Sequence, residues 1–231
     1  MRKQFHFRPS SEGGLAPREL IWCLAALFLL APACAQQSEQ RMHQRFSDAE
    51  RWSQIFDDPA RDAWQKPAEV IRALKLAPNA AVADIGSGTG YFAVRLARAL
   101  PQGRVYGVDV ERDMVRFLSE RAAKENLPNL SSHIAEEEDP KFPAKVDLVI
   151  VVDTYHHLPV RSRYFERVRA GLKPGGRVAI VDFKPESPTG PPRRHRIPPE
   201  TVKAEMERAG YRLSEEHGFL PYQYFLIFAP G

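Results

Sequence analysis

The densest chemistry in the chain lies in the run Asp84-Ile85-Gly86-Ser87-Gly88-Thr89-Gly90. Alternating glycines let a backbone turn sharply and approach a ligand with no Cβ in between. A second acid, Asp109, falls 19 residues past Gly90. At the end of the strand after such a turn, a carboxylate accepts hydrogen bonds from both hydroxyls of a ribose. The other reading of Asp109 is a helix cap, because a helical stretch follows it. A third group is Asp153-Thr154-Tyr155-His156-His157, whose acid and imidazoles suit positioning of an acceptor or general-base work on it. A hydrogen-bonding structural histidine is the alternative there. Paired histidines also suggest a metal. Side chains at i and i+1 diverge, however, and no Asp, Glu or Cys set is spaced to join them, so no metal site is assigned.

These groups need elements to position them. Ala80 to Ile85 is a short apolar run that reads as a buried strand, and Ala93 to Leu100 after the glycine turn is helical in composition. The amides at that helix start point at a ligand in the turn. Arg104 to Val110 predicts a second strand ending at Asp109, with an amphipathic helix from Glu111 to Glu125 behind it. Met114 on that helix is open to two readings, packing on a ligand's base or filling the core. Leu130 to Ala135 predicts a third strand. Apart from Asp147, Val146 to Val152 is an apolar run ending at Asp153, as in a parallel strand buried on both faces. Asp153, Tyr155, His156 and His157 then lie just past its carboxyl end, where open α/β sheets place their ligand crevice.

The glycines are 86, 88 and 90, and Tyr91 takes the last position of the dinucleotide fingerprint, which argues against a nicotinamide dehydrogenase. The pattern Asp-x-Gly-x-Gly-x-Gly, with Asp109 downstream, resembles the first motif of class I S-adenosylmethionine-dependent methyltransferases. The run Leu172-Lys173-Pro174-Gly175-Gly176-Arg177 before a predicted fifth strand, Arg177 to Phe183, resembles the same family again. The resemblance covers roughly residues 47 to 229. It implies a Rossmann-like α/β fold with a seven-stranded, mostly parallel sheet, and S-adenosylmethionine across the carboxyl ends of the first strands. Position by position, it implies that Asp84, Gly86, Ser87, Gly88 and Gly90 line the methionine and ribose portions. Asp109, with Val110 beside it, would hold the ribose, and Glu136 would lie near the adenine, with Met114 a further candidate there. Asp153 and Tyr155 would border the transferred methyl, and Tyr155 and His156 are the candidate catalytic residues. The implied activity is methyl transfer to a small-molecule acceptor. The rival is an exported, non-catalytic ligand-binding protein on the same fold.

Composition bounds these readings. The chain has 231 residues, 43% of them hydrophobic, enough for one α/β domain with a full core. Residues 1–35 read as a targeting segment: a basic front, an apolar core from Leu20 to Leu30, and Ala33-Cys34-Ala35 as a small-x-small cleavage site. The core is too short for a span of about 20 residues. Lipidation at Cys34 is an alternative, as are an uncleaved anchor and a true start at Met42. Cleavage predicts a periplasmic or membrane-tethered protein, and a misassigned start predicts a cytoplasmic one. Both cysteines, Cys23 and Cys34, lie in this segment, so the rest offers no disulfide, thiolate metal site or cysteine nucleophile. The first 35 residues hold four basic and two acidic side chains; without them the formal charge of +4 becomes +2. A chain so close to neutral gives little reason to expect a nucleic-acid partner.

Residues 36–46 read as a polar tether, and the catalytic domain as 47–231. Ser47 and Glu50 predict a capping box for a first helix that ends at Asp57-Asp58-Pro59. Residues 61–67 read as a linker into a helix from Ala68 to Leu76. Trp52, Phe56 and Trp64 have two readings: they cover one edge of the sheet, or this arm closes over the ligand crevice. Glu136 to Asp139 is an acidic run. Arg161 to Leu172 predicts a helix. Pro185 to Pro199 is a proline-stiffened loop whose Arg193, Arg194 and Arg196 either grip an anionic acceptor or lie in solvent. Pro199 opens a helix to Ala209. Tyr211 to Phe219 and Gln223 to Ala229 are too close for a crossover and predict a C-terminal antiparallel hairpin.

Overall fold

The computed structural model describes residues 46–231. The targeting segment with both cysteines, and all of the tether except Phe46, lie outside the described residues.

Seven strands form one sheet: β1 (Ala81–Ile85), β2 (Arg104–Asp109), β3 (Leu130–Ile134), β4 (Val146–Val152), β5 (Leu172–Phe183), β6 (Tyr211–His217) and β7 (Gln223–Pro230). Their order is β3-β2-β1-β4-β5-β7-β6. The first five pair in parallel, and β7 runs antiparallel between β5 and β6. The expected mostly parallel sheet with a C-terminal hairpin is what the chain adopts. The sequence reason is plain in β1 and β4. Every residue of β1 is buried, as are all but one of β4, and each is an apolar run broken by a single acid, Asp84 or Asp147; near-continuous apolar runs suit strands covered on both faces.

Helices cover both faces. One carries α3 (Pro67–Ala73), α4 (Tyr91–Ala99) and α5 (Arg112–Lys124); Val70, Leu74, Leu96 and Leu118 pack with Val82, Ile150 and Phe225. The other carries α6 (Arg161–Ala170) and α7 (Pro199–Arg208); Phe165, Val168, Val202 and Met206 pack with Val149, Ile180 and Leu226. Ahead of them come α1 (Ala49–Phe56) and α2 (Arg61–Gln65).

Three local expectations are corrected. Asp48, not Ser47, caps α1: its carboxylate accepts from the Arg51 amide at 3.2 Å. The stretch read as a linker contains α2, and α3 starts at Pro67 because Lys66 adopts φ 46° between the two helices. Leu172 already pairs with Val146, so Lys173 to Gly176 lie inside β5 rather than ending a helix before it. The register shift between Val146 and Leu148 absorbs the extra residues.

Candidate active site

The turn after β1 is shaped by contacts that exclude side chains. Gly86 has φ 68° and a Cβ there would collide with Thr154 from the end of β4. Gly90 caps α4 with φ 95°, and a Cβ there would strike Leu118 of α5. Glycine is the residue that meets both demands at once. The hydroxyls of Ser87 and Thr89 are buried in this turn with no hydrogen-bond partner. Buried hydroxyls are normally paired, so this is a polar cradle with bonding capacity to spare, and it fits an adenosyl ligand.

Asp109 ends β2 beside the turn. Its Oδ2 accepts from the Gly88 amide at 2.9 Å and its Oδ1 from the Glu111 amide at 2.9 Å. The carboxylate borders the glycine turn and accepts from the amide of Glu111, the N-cap residue of α5. Burial raises its pKa above the ordinary carboxylate value. Asp84 lies deeper. Burial, with the nearby Asp109 charge, pushes it up to about 8. Val110 is 49% exposed next to Asp109, and Ile134, paired in register with Asp109, is 42% exposed. Glu136 is exposed and pairs with Lys141 at 3.4 Å.

Asp153 follows β4 in a left-handed conformation, φ 53°. Gln65 donates to its Oδ2 at 2.9 Å, Arg61 lies 3.3 Å from the same oxygen, and Gln223 donates to Oδ1. Burial pushes this carboxyl up to about 6, against the pull of Arg61.

One of the expected site residues sits elsewhere. Tyr155 does not face the crevice. It is fully buried, stacks on Phe165 and donates its hydroxyl to Glu205 at 2.6 Å. The short 3₁₀ turn Tyr155–His157 sends this side chain into the α6–α7 core. Met114 is buried, 1% exposed. His156 is also buried, but its Nδ1 lies 3.0 and 2.9 Å from the two oxygens of Asp182 on β5. Burial opposes its protonation; the Asp182 charge and hydrogen bond outweigh that, so its pKa is raised.

The arm ahead of the sheet takes the second of its two readings. Phe56 lies against Gly88, 3.5 Å from where a Cβ would stand. Phe46 packs on Trp52, Phe56 and His157, and Trp64 packs on Phe183 and Tyr222. These aromatics cover the carboxyl ends of the strands, not a sheet edge. The basic loop does something neither reading foresaw. Arg196 donates to the carbonyls of Pro185, Ser187, Thr189 and Pro191, and Arg193 to that of Pro185. These guanidinium groups hold their own loop together.

Sequence reasoning missed Arg61, Gln65, Asp182 and Gln223. Asp182 had a signal, an acid near the carboxyl end of a predicted strand. The other three had none.

A protein-family profile described as a methyltransferase domain matches residues 82–176. An arsenite methyltransferase of Halobacterium salinarum is 33% identical over 115 residues, 49% of this chain and 29% of that protein. A trans-aconitate 2-methyltransferase of Rhodopseudomonas palustris is 31% identical over 133 residues, 58% of this chain and 48% of that protein. The chain thus spans less than half the length of either curated relative. A solved S-adenosylmethionine-dependent methyltransferase from Aquifex aeolicus superposes with a TM-score of 0.72 at 27% identity, covering 80% of this chain and 98% of that one. Residues 82–176 thus carry a methyltransferase domain, and the seven-stranded sheet with its cradle between β1 and β2 is similar to the fold of S-adenosylmethionine-dependent methyltransferases.

Proposed function

We propose that this protein transfers a methyl group from S-adenosylmethionine to a small-molecule acceptor. The observation that carries the reading is the Asp109 carboxylate at 2.9 Å from the Gly88 amide, beside a turn with two unpartnered hydroxyls. Gly86, Ser87, Gly88 and Gly90 would receive the cofactor's amino-acid and ribose portions, with Asp84 beneath them. Asp109 would take the ribose hydroxyls, and Val110, Ile134 and Glu136 would border the adenine. The cofactor supplies a methyl group already activated on a sulfonium. What is left to the protein is alignment of the acceptor and exclusion of water, a task the arm over Gly88 suits.

His156 is the candidate for moving a proton. Its Nδ1 is committed to Asp182, which leaves Nε2 to take a proton from an acceptor that must lose one. Asp182 orients the ring. The relatives' names give arsenite and trans-aconitate as acceptors; both are small molecules, which supports that class here.

Calorimetry with S-adenosylmethionine and S-adenosylhomocysteine tests the reading. Binding to the wild type that is lost in Asp109→Ala supports it, and an empty wild-type titration defeats it. Release of S-adenosylhomocysteine with an acceptor present separates an enzyme from a protein that only binds.

A further inference from the structure

We propose that Asp153 is a positioning residue that acts through the arm: it holds α2, and with it Phe56, over the glycine turn, and cofactor exchange requires this hold to release. The inference rests on the proposed cofactor site, because it says what covers that site.

Four contacts in series carry it. The Asp153 amide still donates to the Val181 carbonyl at 2.9 Å, so the residue is fixed to the sheet. Its φ of 53° is a conformation that Asp tolerates better than most residues. Both carboxylate oxygens are then given to side chains rather than left open. Gln223 bonds one; Gln65, at 2.9 Å, and Arg61, at 3.3 Å, bond the other. Arg61 passes the hold onward. Its guanidinium lies 4.1 Å from the centre of the Tyr91 ring and donates to the Phe56 carbonyl. Phe56 is the last residue of α1, and its ring is the part of the arm that lies on Gly88.

Little else fastens the arm by burial. Ala49 is the buried residue of α1. The remaining ties are the aromatic contacts of Phe46 with His157 and of Trp64 with Phe183 and Tyr222, and polar bonds that include the Ala49 amide to Asp113 at 2.6 Å, the Tyr91 hydroxyl to Asp62, Asp57 to Arg121 at 2.8 Å, Asp62 to Arg95 at 3.0 Å and Glu50 to Arg116 at 2.8 Å. Partly exposed ion pairs of this kind are individually weak. Lys66 in the left-handed region, followed by Pro67, gives the arm a defined pivot at its far end. The Asp153 end is where the arm meets buried groups: Gln65 and Gln223 are both 0% exposed. Gln223 also keeps a buried Oε1 without a partner, which leaves an acceptor at the latch for a donor that arrives there.

The test is amide hydrogen exchange on the full chain without ligand, followed by S-adenosylhomocysteine dissociation read by tryptophan fluorescence. In Asp153→Ala, exchange across residues 46–65 should speed up about tenfold or more, as expected when a locally stable unit loses its anchor. Exchange in β1 and α4 should stay at the wild-type rate, and S-adenosylhomocysteine should leave about tenfold faster. Arg61→Lys keeps the charge but loses the fork between Asp153 and Phe56, and should show the same pattern if Asp153→Ala does not fold. Weakened S-adenosylhomocysteine binding with unchanged arm exchange in the ligand-free variants would overturn the proposal and make Asp153 a direct cofactor contact. If the wild type binds no S-adenosylhomocysteine, the cofactor reading fails, and ligand-free exchange still decides the latch.

Discussion

His156 Nδ1 lies 2.9 Å from Asp182 Oδ2, between the turn that follows β4 and the carboxyl end of β5. The imidazole is buried, and burial alone would keep it neutral, yet the carboxylate raises its pKa above 6.5. The sign for stability follows from linkage. The contribution is fully present below the unfolded pKa of about 6.5 and is lost as pH rises through the folded value. Nε2 takes up a proton only once the ring is neutral, so turnover should rise with pH through the same value. In Asp182→Asn the histidine should titrate lower, with the turnover profile moving to lower pH alongside it. Proton-detected NMR of the imidazole and a pH–rate profile measure the two shifts.

Asp84 gives a second pH dependence of known sign. The folded protein holds this proton up to about pH 8, while the unfolded chain releases it near the ordinary value of 3.8. Stability should therefore fall as pH rises between those values, with a slope no steeper than about 1.4 kcal/mol per pH unit. Asp84→Asn cannot ionise and should flatten the curve. Urea midpoints at pH 5, 7 and 8.5 for the two proteins check this.

Much of the fold is legible because its signals are local. The buried strands β1 and β4 are apolar runs with one acid each, the glycine turn is a spaced motif, and the short gap between β6 and β7 forces a hairpin. The site is legible where the same motif places it, at Asp109 and the turn. It is not legible where a contact joins distant segments. Asp153 is 88 residues from Gln65, 92 from Arg61 and 70 from Gln223, and no periodicity reports such a meeting. α2 has five residues, too few to show a helical period. Tyr155 and His156 are neighbours in sequence with different surroundings, and the turn that separates them is settled by packing. Tyr155 is held by a buried pair on α6 and α7 that the sequence does not announce.

That pair makes the third prediction. Arg161 donates to Glu205 through Nε at 2.6 Å and Nη2 at 2.8 Å, and Tyr155 shares the same carboxylate. Arg161 and Glu205 are 0% and 1% exposed. Glu205→Ala leaves a buried guanidinium without its carboxylate and should cost about 3–5 kcal/mol. Replacing both partners together, as Arg161→Met with Glu205→Leu, should recover most of that loss. Denaturant unfolding of the single and double variants measures it, and an additive double variant would count against a coupled pair.

The arm should respond to pH through Asp153, in a direction opposite to what a simple salt bridge suggests. The groups around this carboxyl are Arg61 and Gln65 from the arm, Gln223 from β7, and Asp182 and His156 beside it. Burial is the largest influence and outweighs the attraction of Arg61, so the carboxyl titrates at about 6 rather than 3.8. Arg61 and the Gln65 hydrogen bond both favour the charged form. The expected sign is that of water regained on opening outweighing the loss of those two partners, so that the open carboxyl moves toward its ordinary value. The closed arm then binds the proton more tightly than the open one, so closure strengthens as pH falls toward 5 and weakens as pH rises through 6. Exchange across residues 46–65, corrected for intrinsic rates, should be slower at pH 5 than at pH 7.5. Asp153→Asn keeps the shape without the charge and should abolish that difference. Slower exchange at pH 7.5 in the wild type would mean that the Arg61 ion pair, not burial, governs the latch.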